Sequence, residues 1–191
     1  PALSIHDDGL LEGGMASGSR DAEGVPRRHQ NLVENGRLTN MLWSTRDAAQ
    51  QVAEGRTEAA SSTGSANSGG HQSPPSTGCT ELFLTTNEAT HSWDRLLEQM
   101  GDGYVVNSVM GAHTANPTSG DFSVTTSAIL KVVDGEVVGA LKQAGLSGNL
   151  AKAMNGQVVL GKDVRRQGSY SSGSMHLPDV LLMDGLRINP A

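Results

Sequence analysis

The sequence predicts a mainly β domain of the α+β class: an antiparallel sheet or barrel-like body rich in hairpins, with two or three short helices. Three observations predict it. The 191 residues include 24 glycines but only 3% aromatics, so the interior must rest on Leu, Val, Ile, Met and Ala with close backbone packing. Asx-Gly pairs recur at Asp8-Gly9, Asn35-Gly36, Asp102-Gly103, Asp134-Gly135, Asn155-Gly156 and Asp184-Gly185, and such pairs tolerate the positive φ of type I′ turns between antiparallel strands. Two of these pairs have β-prone runs on both sides, the strongest local signature of a hairpin.

In chain order, the first residues read as a strand-like entry without an initiator Met, which suggests a fragment of a longer chain. Residues 31–34 lead into Asn35-Gly36 and residues 37–42 lead out. Residues 128–133 lead into Asp134-Gly135 and residues 136–141 lead out. Further strands are expected at 81–85, 104–110, 123–127, 158–160 and 180–188. The clearest helix covers 92–100, where Trp93, Leu96, Leu97 and Met100 repeat at i, i+3, i+4 and i+7. Ser92 or Thr90 can cap it, Asp94 suits its positive end, and Gly101 can stop it. A shorter helix is expected over 45–54, closed by Gly55, and one or two turns over 149–154. All of this reads as one domain, 1–191. Within it, residues 58–78 are rich in Ser, Gly, Ala and Thr, have almost nothing to bury and are expected to form a mobile loop. Loops of that length are functional or disordered, and the composition leaves both open.

The formal charge of −6 argues against a nucleic-acid binder, which carries a clustered basic face. Arg27-Arg28 and Arg165-Arg166 are only pairs. Cys79 is the sole cysteine, so neither an intrachain disulfide nor a Cys-rich zinc site can form. No apolar run approaches the roughly 18 residues that span a bilayer, and the N-terminus lacks the pattern of a signal peptide. A reducing cytoplasm is the expected location, with neither membrane nor nucleic acid as a partner.

Motifs for chemistry fail on inspection. The six histidines (His6, His29, His71, His91, His113, His176) are scattered and none precedes a Glu, so the helical zinc motif is absent. Gly156 to Asp163 comes within one residue of a phosphate loop, but Asp163 stands where a Mg²⁺-binding hydroxyl is needed. Its Val158-Val159-Leu160 reads as a buried strand. Cys79 has no His or cationic neighbour in sequence to lower its pKa, and the Ser-rich run 169–174 reads as loop. The densest unusual stretch is residues 110–123, with Met110, Gly111, His113, Asn116, Gly120 and Asp121 as candidate site residues. Its chemistry reads as a strand ending at a Gly, an Asn-Pro turn, and an Asp bonding back to turn amides.

That same stretch, Met-Gly-Ala-His-Thr-Ala-Asn-Pro-Thr-Ser-Gly-Asp-Phe-Ser, resembles the signature of the TldD/PmbA family. Other pieces follow in the family's order: Glu23-Gly24-Val25-Pro26 with the hairpin after it, residues 87–106, Asp134-Gly135-Glu136, Leu146-Ser147-Gly148-Asn149-Leu150, and Val159-Leu160-Gly161-Lys162-Asp163. The resemblance covers nearly the whole chain, and it implies a two-subunit cytoplasmic metallopeptidase acting on unfolded peptides and peptide precursors. It further implies that the catalytic TldD-type subunit carries a His-Glu-x-x-x-His helix in its N-terminal half and a late Cys-Gly-Lys ligand. Here residues 165–173 contain no cysteine, and Cys79 lies too early. The chain therefore resembles the PmbA (TldE) type, expected to bind no cofactor itself, with zinc only in a TldD-type partner. Three readings follow. The first is a non-catalytic partner domain shaping a peptide chamber beside a metal-bearing subunit. The second is a free-standing, self-associating peptide-binding module. The third is a peptidase whose metal-binding half is not included, which the missing cysteine opposes. An older gyrase-modulator label attached to the family finds no support in the acidic composition.

Overall fold

The structure, a computed structural model, describes residues 2–168 and 173–190. In chain order its elements are β1 (Leu3–Asp8), β2 (His29–Glu34), β3 (Arg37–Leu38), α1 (Thr45–Ala53), β4 (Ala66–Asn67), β5 (Ser76–Thr77) and β6 (Glu81–Thr86). Then follow α2 (Trp93–Met100), β7 (Gly103–Met110), a 3-10 turn (Ala112–Thr114), β8 (Asp121–Val133), β9 (Glu136–Asn149) and α3 (Leu150–Asn155). The chain closes with β10 (Val158–Gly168), β11 (Ser174–Leu182) and β12 (Leu186–Pro190). The expected mainly β, hairpin-rich architecture with three short helices is what is found. The described strands form open sheets rather than a closed barrel, in the orders β10-β11-β6-β1-β2-β3, β12-β9-β8-β7 and β4-β5. The β11–β6 pairing is parallel. The chain divides into two compact units, one of Ala2–Glu88 with Val164–Pro178, the other of Ala89–Asp163 with Asp179–Ala191.

The second unit is built on the long β8–β9 hairpin. Asp134 and Gly135, with φ of 51° and 78°, form the type I′ turn that the sequence predicts, and the strands on both sides run longer than expected. The separate strand expected at 123–127 is continuous with the next one. Buried residues along β8 fall at Val124, Thr126, Ile129 and Val132. The two-residue spacing widens to three across Ala128, whose φ is 57°, and again across the register shift between Lys131 and Val132. These local kinks keep apolar side chains inward where a regular pleat would turn them out.

Helix α2 forms as predicted. Ser92 caps it by accepting from the Arg95 amide, and Gly101 ends it at φ 63°. It buries Leu96 and Leu97, and the hairpin tip seats against its last turn, where the Gly135 amide donates to the Gly101 carbonyl at 2.8 Å. A Cβ at Gly135 would lie 3.0 Å from the Glu98 Cα, so both backbone angle and space demand glycine here. Residues 158–160 are buried or half-buried strand, which disposes of the phosphate-loop resemblance. The single strand expected over 180–188 is instead broken at 183–185. Gly185, at φ 81°, turns the chain so close to α3 that a Cβ there would meet the Ala153 amide nitrogen at 2.8 Å.

In the first unit, Asn35 and Gly36 (φ 51° and 78°) again make the expected turn. The exit strand stops at Leu38 rather than reaching 42, because the Thr39 and Asn40 amides both donate to the Leu32 carbonyl and curl the chain off the ladder. Helix α1 starts at Ser44, which accepts from the Asp47 amide. The expectation that residues 58–78 have almost nothing to bury is corrected. They contain β4 and β5, and Ser65 and Ala66 are fully buried. What they bury is backbone and small polar groups, which hydropathy does not register. The Asp21 carboxylate accepts from the Ala66 amide at 3.0 Å, and Gln30 donates to Ser65 at 3.0 Å. Of the Ser-rich run expected to be loop, residues 169–172 lie outside the described residues.

Candidate functional site

The stretch singled out from sequence connects β7 to β8. After Met110 the chain turns through Gly111 at φ 89°, and the Thr114 amide and hydroxyl both donate to the Gly111 carbonyl. The Asn116 side chain then organises the turn, its Oδ1 accepting from the Thr118 and Ser119 amides at 2.9 and 3.1 Å. Its backbone closes the loop by donating to the Asp121 carbonyl and accepting from the Gly120 amide, each at 2.9 Å. The expectation that Asp121 bonds back to turn amides is therefore corrected. Asn116 has that role, because it lies at the start of the turn, where its side-chain oxygen faces the Thr118 and Ser119 amides.

The Asp121 carboxylate instead accepts from Asn149 Nδ2 at 2.7 Å. That bond, with help from the Ser119 hydroxyl, holds its pKa below the usual carboxylate value. Asn149 is the residue that the list of candidates missed. Its Nδ2 also donates to the Ser119 carbonyl at 2.8 Å, while its Oδ1 caps α3 by accepting from the Lys152 amide at 3.0 Å. The signal was an amide side chain at the predicted start of a helix, directly after Gly148. A Cβ at Gly148 would lie 2.4 Å from the Gly185 carbonyl oxygen, so β9 and the turn before β12 meet only because that side chain is absent.

Asp121, Ser147, Gly148, Asn149, Lys152, Gly185, Leu186 and Arg187 line an open groove of about 520 Å³. It is a polar concavity with backbone exposed at its two glycines and cationic groups at Lys152 and Arg187. Of the predicted site residues, Asp121 alone lines the groove; Gly120 lies beside Asn149, and Asn116 is tied to the same turn through the Gly120 amide and the Asp121 carbonyl. Met110, Gly111, His113, Asn116 and Gly120 are not among the groove's lining residues. Hydrogen bonding and shape recognition are within its means.

The first unit gathers what sequence reading left scattered. His29, His6, Phe83 and His176 form a row of rings across β2, β1, β6 and β11, with successive centroids 4.9, 4.7 and 4.1 Å apart. Under its end lies Glu81, fully buried, which accepts from the Ala16 amide at 2.9 Å, from the Ser174 hydroxyl, and pairs with His176 Nε2 at 2.9 Å. Burial alone would raise the Glu81 pKa, but these bonds outweigh it and the net shift is downward. Ser174 and His176 engage the same carboxylate oxygen, so the hydroxyl donates to Glu81 rather than to the histidine that would have to act as its base. Burial, then the Asp7 charge, pushes the Cys79 thiol up, the wrong direction for a nucleophile or a metal ligand.

Nor do these side chains suit zinc. Among the described residues no group of three or more His, Cys, Asp or Glu side chains is arranged to hold a metal ion, and both Glu81 oxygens already have donors. Among the same residues no helix is long and apolar enough to cross a membrane.

With this geometry in hand, the comparisons with known proteins are specific. The chain matches the PmbA/TldA metallopeptidase C-terminal domain over residues 1–189. It is 33% identical over 174 residues to an uncharacterized protein of Methanocaldococcus jannaschii, covering 91% of this chain and 38% of that protein. Against the metalloprotease PmbA of Escherichia coli O157:H7 it is 27% identical over 178 residues, 93% of this chain and 35% of the relative. In structure it resembles TldE from Thermococcus kodakarensis, with a TM-score of 0.80 at 22% identity, covering 98% of this chain and 40% of that one. It also resembles a putative modulator of a DNA gyrase from Thermotoga maritima, with a TM-score of 0.77 at 29% identity, covering 100% and 39%. The chain thus spans well under half the length of the proteins it matches.

Proposed function

Because the chain belongs to the PmbA/TldD metallopeptidase family, as the C-terminal domain of that family, we propose that it is a non-catalytic partner domain that walls a peptide-accepting chamber. The observation that carries this reading is the state of its candidate reactive groups. The thiol is pushed toward its neutral form, and the buried carboxylate is occupied by three donors. Peptide hydrolysis needs a polarised carbonyl and an activated water, and in this reading both come from zinc held by a TldD-type subunit. This chain contributes the Asp121–Asn149 groove and strand edges that extended peptides can join. The substrates are unfolded peptides or peptide precursors, and the location is the cytoplasm.

The test is reconstitution. Alone, the chain is expected to hold no stoichiometric zinc by elemental analysis and to leave casein fragments uncut. Mixed with a TldD-type subunit, it is expected to produce chelator-sensitive hydrolysis that neither component shows alone. Cleavage by this chain alone overturns the reading. Peptide binding with no gain on mixing favours the second reading, a free-standing peptide-binding module.

A further inference from the structure

The lining of the groove is unbalanced in charge. It holds one carboxylate, Asp121, and two cations, Lys152 and Arg187, in a chain whose formal charge is −6. Strand register explains how these groups converge. Asp121 lies opposite Asn149, and Arg187 lies opposite Ser147. Ser147 and Asn149 are alternate residues of β9, so all four side chains stand on one face of the sheet. Asp121 is already committed there: it accepts from Asn149 Nδ2, and the Lys152 charge helps to keep it ionised. Arg187 is not committed. It is exposed, and neither its guanidinium nor the half-buried Ser147 hydroxyl across from it makes a hydrogen bond or ion pair among the described residues. Gly148 and Gly185 also line the groove and have no side chains to fill it, so a ligand can come down to the backbone.

We propose that Arg187 and Ser147 form a seat for a carboxylate of the bound peptide. A guanidinium is planar, and its paired N–H donors match the two oxygens of a carboxylate. The serine hydroxyl supplies a further donor from the neighbouring strand. The inference rests on the peptide-chamber reading and adds what that reading lacks, a group by which the groove recognises its ligand. Unfolded peptides have no side chain in common, so a groove that accepts many sequences must use the backbone and the chain ends. The C-terminal carboxylate is the anion that every such peptide carries, and Asp or Glu side chains present the same chemistry.

The experiment is titration of the 191-residue chain with two labelled peptides of one sequence free of Asp and Glu. One ends in a free carboxylate, the other in an amide, and binding is followed by fluorescence anisotropy and by amide NMR shifts. The free acid is expected to bind about tenfold more tightly, to lose that advantage as salt rises, and to shift the amides of 147–149 and 185–187. Arg187→Gln should abolish the advantage and leave the affinity for the amidated peptide unchanged. The position is exposed, so circular dichroism should show the variant folded. A third peptide, amidated but carrying an internal Glu, separates the two sources of carboxylate. Affinity near that of the free acid assigns the seat to either source, and affinity near that of the amide assigns it to the C-terminus. Equal binding of acid and amide overturns the seat and leaves the peptide-chamber reading standing, as does a preference for the acid that survives Arg187→Gln. Binding of none of the three peptides overturns both.

Discussion

The two units solve the burial problem by opposite means. Among the described residues, the unit around the β8–β9 hairpin buries Leu96, Leu97, Val124, Ile129, Val132, Ala144, Leu146, Ala153, Val158, Leu160 and Leu181, with Thr126 as its one buried polar residue. The unit around β1 and β6 buries Leu3, Ala48, Ala66 and Pro178 as apolar residues, but it buries Asp7, Asp21, Gln30, Thr63, Ser65, Asn67, Thr80, Glu81 and more. One interior is non-directional and tolerates approximate fit. The other is a lattice in which each donor needs a particular acceptor, since an unpaired buried group costs more than a paired one contributes. Asp7 illustrates the lattice. Its carboxylate accepts the Thr80 and Glu81 amides at 2.7 and 2.9 Å, although burial pushes its pKa up.

The contrast should break most sharply at Glu81 and Ile129. Glu81→Ala orphans the Ser174 hydroxyl, the Ala16 amide and His176 and should cost about 3–5 kcal/mol. Ile129→Ala leaves a cavity worth about 2–5 kcal/mol. Ile129→Val should recover most of that loss, at about 0.5–1.5 kcal/mol. Glu81→Gln, nearly identical in shape, should stay far from wild type because it presents an amide donor where an acceptor is required. Urea denaturation of the four variants checks this, and a well-tolerated Glu81→Gln would show that shape, not polarity, governs the first unit.

At the signature turn, Gly120 sits at φ 76° with the nearest heavy atom 3.6 Å from a built Cβ, so backbone angle rather than space makes the demand. Gly120→Val should lower stability by about 1–2 kcal/mol, read as a fall in Tm. His113→Ala, at an exposed position, should leave Tm nearly unchanged. If His113→Ala instead abolishes partner-dependent hydrolysis while Tm holds, this turn belongs to the chamber.

Acid should weaken the polar unit first. Burial, then the neighbouring His29 charge, lowers the His6 pKa from its ordinary 6.5. A depressed value means that the neutral ring is favoured in the fold. The contribution is therefore complete above about pH 6.5 and is lost as pH falls through the depressed value. Glu81, lowered from 4.5, adds a second loss below that pH. Asp7, raised from 3.8, works in the opposite sense, its contribution being present in acid and lost as pH rises through its folded value. Stability measured from pH 7.5 to 5 should decline, and His6→Phe should flatten the decline.

The smallest free energy concerns local opening. Residues 63–67 are buried and 68–73 exposed, so limited proteolysis should cut first within 68–73 and spare 63–67. A first cut between 128 and 141 would contradict the strand assignments.

Much of this was legible in particular residues. Both type I′ turns, the Ser92 cap and the Gly101 stop depend on neighbours within a few positions, so backbone preference and local hydrogen bonding decide them; the strand over 158–160 was legible from its apolar run alone. The signature turn was legible as a turn, whereas which side chain closes it was not. Asn116 and Asp121 are chemically alike as acceptors, and only the arrival of Asn149 from β9 separates their roles. The ring row was invisible because His6, Phe83 and His176 become neighbours through strand pairing across 170 residues of chain.

By itself, then, the sequence determined the fold class, the hairpin turns, the helix ends and, through the resemblance carried by residues 110–123, the family. Tertiary structure decided that Ser65 and Ala66 lie inside a segment with the composition of a loop, that Glu81 is sealed beneath His176, and that Asn149 reaches from the end of β9 to the signature turn. The reason is physical. Turns and caps are satisfied by bonds to residues a few places away, but a buried polar group can be afforded only where a specific partner arrives from a distant strand, and no local window of sequence contains both members of such a pair.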